Sequence, residues 1–163
     1  GPLSAAVTTN NISVAFNAFA LGITAGLGTV LILLYNGMML GGFTGHFVSH
    51  GLGYQMCVFL SGHGVLEIFA IIIAGGAGLR LGLSLALPGR LKRSSSLRKG
   101  AADAFKLMAG TIPMFITAGI CEGFLTPSYL PGSVKIITGV CIWALFMMYL
   151  LFTAKTSPER GSF

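Results

Sequence analysis

The sequence predicts an all-α protein: a polytopic bundle of about five transmembrane helices. Three observations carry that prediction. Hydrophobic residues fill 54% of the 163 positions and charged residues only 9%, with a mean hydropathy of +0.85. Residues 1–66 contain no Asp, Glu, Lys or Arg at all. Apolar runs near the length of a spanning helix, about 20 residues, recur along the chain. A soluble domain carries about 25% charged residues, so an ordinary globule is excluded. A disordered chain would be polar and charge-rich, so that class is excluded too.

The elements follow in order. Residues 1–9 read as a lead-in, and Gly1-Pro2-Leu3-Ser4 has the look of a remnant left by tag removal. No basic segment precedes the first apolar run, so no signal peptide is read. The first span is expected from Ile12 to Leu34, with Asn10 and Asn11 capping its first turn. Tyr35-Asn36-Gly37 reads as a turn, because Asn-Gly tolerates positive φ. A second segment runs from Met38 to about Val48 and is short for a full span. Residues 51–62 mix glycine, Tyr54 and Gln55 with a brief apolar run. They either extend a span or form a re-entrant piece, which is tolerated only when protein buries it.

The third span runs from Gly64 to Leu87 and closes at Pro88-Gly89. A basic stretch follows, residues 90–106, with Arg90, Lys92, Arg93, Arg98, Lys99 and Lys106. The fourth span runs from Ala104 to Leu125 and closes at Thr126-Pro127-Ser128. The fifth runs from Val134 to Ala154, and residues 156–163 form a polar tail. Residues 10–155 thus make one membrane domain.

The net charge of +6 does not point to nucleic acid. Six of the ten basic residues sit in one loop between apolar runs, the pattern of a segment retained in the cytoplasm. Arg90, Lys92, Arg93, Arg98 and Lys99 are placed to meet anionic lipid head groups there. The tail lies two spans later, so the C-terminus is expected on the same cytoplasmic side. The three cysteines, Cys57, Cys121 and Cys141, form no CxxC pair and imply no disulfide framework.

Glycines recur one helical turn apart, at Gly22/Gly26, Gly37/Gly41/Gly45, Gly78/Gly82 and Gly119/Gly123. Small residues at that spacing let helix backbones approach closely in lipid, within one chain or between two copies.

Glu67, Arg80 and Glu122 fall inside predicted spans. A charge facing lipid costs several kcal/mol, so these side chains are expected to face the bundle interior as a polar cluster with His63, although Arg80, 13 residues or about 20 Å beyond Glu67, also suits an anchor that snorkels to the cytoplasmic boundary. His46 and His50 lie at i and i+4, and so do His63 and Glu67. Imidazole and carboxylate pairs on two helices are able to ligate zinc. The same groups also suit a structural hydrogen-bonded cluster or a proton relay. His63-Gly64-x-x-Glu67 is not the HExxH signature of a metalloprotease. The metal candidates are therefore His46, His50, His63 and Glu67, with zinc as the implied ion.

Several separated motifs stand out in order: Asn10-Asn11-Ile12, Tyr35-Asn36-Gly37-Met38-Met39-Leu40-Gly41 and Ser61-Gly62-His63-Gly64-Val65-Leu66-Glu67. The last continues through Ala74-Gly75-Gly76-Ala77-Gly78-Leu79-Arg80-Leu81-Gly82, and Glu122-Gly123-Phe124 with Thr126-Pro127-Ser128 completes the set. Together they resemble the stage II sporulation protein M family of integral membrane proteins. The resemblance implies a multi-helix protein of the bacterial or archaeal plasma membrane. It also implies a non-enzymatic component that assembles with envelope or peptidoglycan-remodelling partners. It brings no established catalytic residues. Two other functions are open on the residues alone: a transporter or lipid-handling protein using the buried acids, and an intramembrane metal-dependent enzyme.

Overall fold

A computed structural model describes residues 2–156, and all of the described chain is helix, turn or short connection. Six helices are formed: α1 (Pro2–Ala20), α2 (Leu27–Ser49), α3 (Gly53–Gly62), α4 (Gly64–Ala86), α5 (Arg93–Ile120) and α6 (Gly132–Thr156). A 3-10 turn, Leu21–Ile23, ends α1, and a π turn, Cys121–Leu125, ends α5. Four helical segments are long and apolar enough to cross a membrane: Leu27–Ser49, Gly64–Ala86, Arg93–Leu125 and Gly132–Phe152. Helices are the expected solution, because a lipid-exposed backbone must satisfy its own hydrogen bonds. The polar-tail prediction, residues 156–163, falls almost wholly outside the described residues.

The first half of the chain departs from the sequence reading. The expected single span from Ile12 to Leu34 is two helices. The chain reverses at Thr24-Ala25-Gly26, where Ala25 has φ 57° and Gly26 φ 87°. Gly26 supplies the left-handed conformation at no Cβ cost. Asn36-Gly37, read as the turn, lies inside α2. Asn-Gly permits a turn but does not force one, and among apolar neighbours continued helix keeps every peptide bonded. Asn10 and Asn11 do not cap a helix, because α1 already runs through them. The basic loop also shrinks: α5 begins at Arg93, so Arg93, Arg98, Lys99 and Lys106 ride on a helix.

Helix α4 is the axis of the bundle, packed most extensively on α5 and α1. Its crossing with α1 requires glycine. A Cβ at Gly22 would overlap the Gly78 backbone, and one at Gly78 would overlap the Ala18 carbonyl. Gly82 is pressed in the same way against Ala25 and Gly26. Thr29 locks the corner by donating its hydroxyl to the Ala18 carbonyl at 2.7 Å. Leu66, Ala70, Ile71 and Ala74 of α4 bury against Ala15 of α1 and against Met114, Phe115 and Ala118 of α5. At the far end, Ser96 donates to the Ser84 carbonyl at 2.8 Å and Gly100 lies on Ser84.

Residues 51–62 settle as a ten-residue helix, α3, about 15 Å long by helix rise and too short to cross alone. It leads into α4 through a break at His63 (φ −142°, ψ −38°). Helix α6 covers it, with Gly139 against the Ser61 carbonyl and Gly132 against Tyr54 and Val58. Of the small-residue pairs, Gly22, Gly26, Gly78 and Gly82 are used within the chain, whereas nothing lies within 4 Å of a Cβ at Gly37, Gly41, Gly45, Gly119 or Gly123.

Candidate functional site

The break at His63 and the π turn at Cys121–Leu125 meet at one level of the bundle. The π turn carries a longer backbone bond, Thr126 N–H to the Cys121 carbonyl at 3.0 Å. Such a turn rotates the side chains that follow relative to a regular helix, a feature common at functional sites. It presents Glu122 inward, 2% exposed. Glu67, one turn into α4, is fully buried, and His63 is 1% exposed.

Helix α1 supplies the groups between them. The Thr8 hydroxyl lies 2.9 Å from Glu67 Oε1 and makes a very short contact with Glu122 Oε2. Asn11 Nδ2 donates to Glu67 Oε2 at 2.5 Å. His63 Nε2 approaches Glu122 Oε1 to 3.8 Å, too far for a hydrogen bond. Among the described residues, His63 Nδ1 and Glu122 Oε1 are buried without hydrogen-bond partners. The imidazole is held edge-on by Phe59, with ring centroids 5.1 Å apart. Among the described residues, no Lys or Arg lies within 4.0 Å of either carboxylate.

The expected cluster of His63, Glu67, Glu122 and Arg80 therefore forms without Arg80. That guanidinium is 46% exposed and pairs with Asp103 at 3.0 Å. The reason is helix rise: 13 residues beyond Glu67 place Arg80 about 20 Å along α4. The metal set is also divided. His46 and His50 stack on each other at the exposed end of α2, ring centroids 4.4 Å apart, and His50 Nδ1 is bonded to the His46 carbonyl oxygen. Among the described residues, no three or more His, Cys, Asp or Glu side chains are grouped to hold a metal ion. Arg90, Lys92, Arg93, Arg98 and Lys99 are all exposed at the other end of the bundle, beside the α4–α5 connection. The cysteines are free, with only Cys121 buried.

Three participants were missed by the sequence reading. Thr8 and Asn11 lie at the start of a stripe, Thr8, Asn11, Ala15, Ala18 and Gly22, whose alternating three- and four-residue spacing marks one helix face. That spacing is the signal that identifies α1 as a partner of α4. Lys135 is the third; its ammonium donates to the Thr126 carbonyl at 2.7 Å and closes the turn behind Glu122.

A cavity of about 700 Å³ opens beside the cluster. Its walls come from Ala6, Val7, Asn10 and Asn11 of α1, from Asn36 to Phe43 of α2, from Met56, Phe59 and Leu60 of α3, and from Gly64, Ile68 and Ile71 of α4. His63 and Glu67 also line it, while Glu122 lies behind them. Helix α2 thus passes the carboxylates with its middle turns. The cavity is of the size that holds a small organic ligand, about 300–1,000 Å³.

The family model for stage II sporulation protein M matches residues 2–127, a stretch that includes α1 through the π turn and therefore every member of the cluster. The chain belongs to that family. An uncharacterized protein of Methanocaldococcus jannaschii is 30% identical over 124 residues, covering 74% of this chain and 69% of that relative. No solved structure matches the chain. Helix α6 lies beyond the matched residues.

Proposed function

We propose that this integral membrane protein is a carrier or lipid-handling protein. It takes a largely apolar molecule from the bilayer into the cavity and links its passage to the charge state of Glu67. One observation supports the reading above the others: a fully buried carboxyl group, with no Lys or Arg partner among the described residues, forms part of the wall of a largely apolar cavity. Burying an ionisable group in a membrane bundle costs several kcal/mol, and such groups mark substrate or proton pathways. A scaffold has no use for that cost. The helix broken at His63 agrees, since discontinuous helices build transporter sites. In the bacterial or archaeal plasma membrane, the basic segment 90–106 and the C-terminus would face the cytoplasm, and the cavity would lie toward the outer leaflet.

Reconstitution in liposomes tests this. Transbilayer movement of a fluorescent short-chain lipid analogue is expected in the wild type. It should fall at least tenfold in Glu67→Gln and stay near the wild-type rate in Arg80→Gln. Equal movement in protein-free liposomes, or an unaffected Glu67→Gln variant, overturns the proposal.

A second reading, assembly with envelope-remodelling partners, is favoured by the surface where α3 meets the α5–α6 turn. Gly62 abuts Thr126 there, and Tyr54, Phe124 and Tyr129 are 59%, 79% and 107% exposed. Exposed aromatics suit either a partner or the lipid interface. Replacing all three by alanine should abolish co-purification of a partner while leaving membrane insertion intact; unchanged co-purification counts against assembly through this face.

A further inference from the structure

We infer that Glu67 and Glu122 hold one exchangeable proton in common, joined through the Thr8 hydroxyl. The inference goes beyond the carrier reading and stands whatever the cavity takes.

It follows from counting hydrogens. Thr8 Oγ1 is in hydrogen-bonding contact with Glu67 Oε1 and with Glu122 Oε2. A threonine hydroxyl has one hydrogen to donate. It serves one of the two carboxyl oxygens. The other contact would be oxygen against oxygen, lone pair against lone pair, unless that carboxyl group carries a hydrogen of its own. Two ionised carboxylates on one hydroxyl would also place two like charges together inside an apolar bundle, where such pairs hold one proton between them.

The surrounding donors give the proton a side. Glu67 is served on both oxygens, by Thr8 and by the Asn11 amide, which is the environment of a carboxylate. Glu122 Oε1 receives no hydrogen bond from the described residues. The hydrogen bonds therefore run from the Glu122 carboxylic acid to Thr8 Oγ1, and from the Thr8 hydroxyl to Glu67. Transfer needs no other reactant. As the Glu122 O–H bond breaks and its proton joins Thr8 Oγ1, the Thr8 proton passes to Glu67 Oε1. Two protons each shift by one bond, the net transfer is one proton from Glu122 to Glu67, no electrons move, and the acid then borders the cavity.

Among the described residues, no Lys or Arg lies within 4.0 Å of either carboxyl group, and His63 is the ionisable neighbour. Helix α1 faces it with the neutral Thr8 and Asn11. The α3–α4 junction contributes His63, whose Nδ1 is buried and unpartnered. The π turn adds only the Cys121 thiol beside Glu122, and Lys135 of α6 is engaged by the Thr126 carbonyl. His63 borders both the cavity and Glu122, with its Nε2 3.8 Å from Glu122 Oε1.

Infrared spectroscopy of the protein in lipid nanodiscs at neutral pH tests the inference. The expected result is one carboxylic-acid C=O band per chain that shifts on transfer to D2O. It should vanish completely in Glu67→Gln and in Glu122→Gln, because each leaves a single carboxylate that Thr8 satisfies alone. Asp103→Asn should retain it. Should a variant misfold, the integrated wild-type band must still equal one acid per chain. Half the intensity surviving in each single variant would mean two independent acids and overturn the shared proton. So would a wild type without the band, or one whose carboxylate bands respond to sodium or potassium instead. The infrared result and the lipid-movement result are separate, so either proposal can fail alone.

Discussion

Helix α4 carries two polar constellations, and they differ in almost every respect. Near its start, Glu67 is wholly buried, joined to Glu122 through Thr8 and bonded to Asn11, with no basic partner among the described residues. Near its end, Arg80 and Asp103 form a balanced ion pair, 46% and 35% exposed. An exposed pair is cheap to make and contributes little, about 0–1 kcal/mol. The buried pair is costly, and it is assembled from three separate helices. A charge that is balanced and exposed explains itself as an anchor at the edge of the bundle. A charge that is buried and unbalanced requires another explanation, and the adjoining cavity supplies one.

The largest effect that would sharpen this difference is expected at Thr8. Thr8→Val removes the hydroxyl that contacts both carboxyl groups while keeping the side-chain volume. Leaving buried carboxyl groups unpaired should cost about 3 kcal/mol of unfolding free energy, measured in lipid bicelles. A loss below 1 kcal/mol would show that the two ends of α4 are energetically alike.

A smaller effect separates the closed glycines from the open ones. Gly78→Ala forces a Cβ into the Ala18 carbonyl and should cost about 1–3 kcal/mol through displacement of α1. Gly41→Ala has nothing within 4 Å and should gain about 0.5–1 kcal/mol in helix preference. Thermal denaturation of the two variants in one detergent gives the sign of each. Destabilisation by Gly41→Ala would reveal a neighbour at that face, such as a second copy.

The smallest effect is expected at the exposed pair. Arg80→Gln and Asp103→Asn should each change stability by under about 1 kcal/mol and should couple weakly in a double-mutant cycle, less so at high salt. Coupling above about 2 kcal/mol would mean that this end, too, is functionally held.

Much of the site was legible before the fold. His63 and Glu67 at i and i+4, and Glu122 near the next outer turn, were placed together by helix rise and span order alone. The same rise separates Arg80 from them and sets it at the far end of α4, where it is half exposed beside Asp103. His46 and His50 illustrate the opposite failure. Their spacing puts both rings on one face of α2, yet spacing says nothing about which way that face points, and the rings are exposed. The turn at Ala25-Gly26 was hidden because an alanine adopts positive φ there, whereas Asn36-Gly37, with the stronger local signal, is overridden by the continuity of α2.

By itself the sequence determined the solvent and the class: with 9% charged residues and apolar runs of spanning length, only a helical membrane bundle satisfies its backbone. It also determined which acids must be sheltered, since their transfer cost is a property of the residue. Tertiary structure alone decided that α1 returns against α4 at Gly22 and Gly78, that Thr8 and Asn11 complete the carboxyl pair, and that a cavity remains beside it. Those outcomes depend on contacts between residues far apart in the chain, and local preference carries no information about which distant backbone a glycine face will meet.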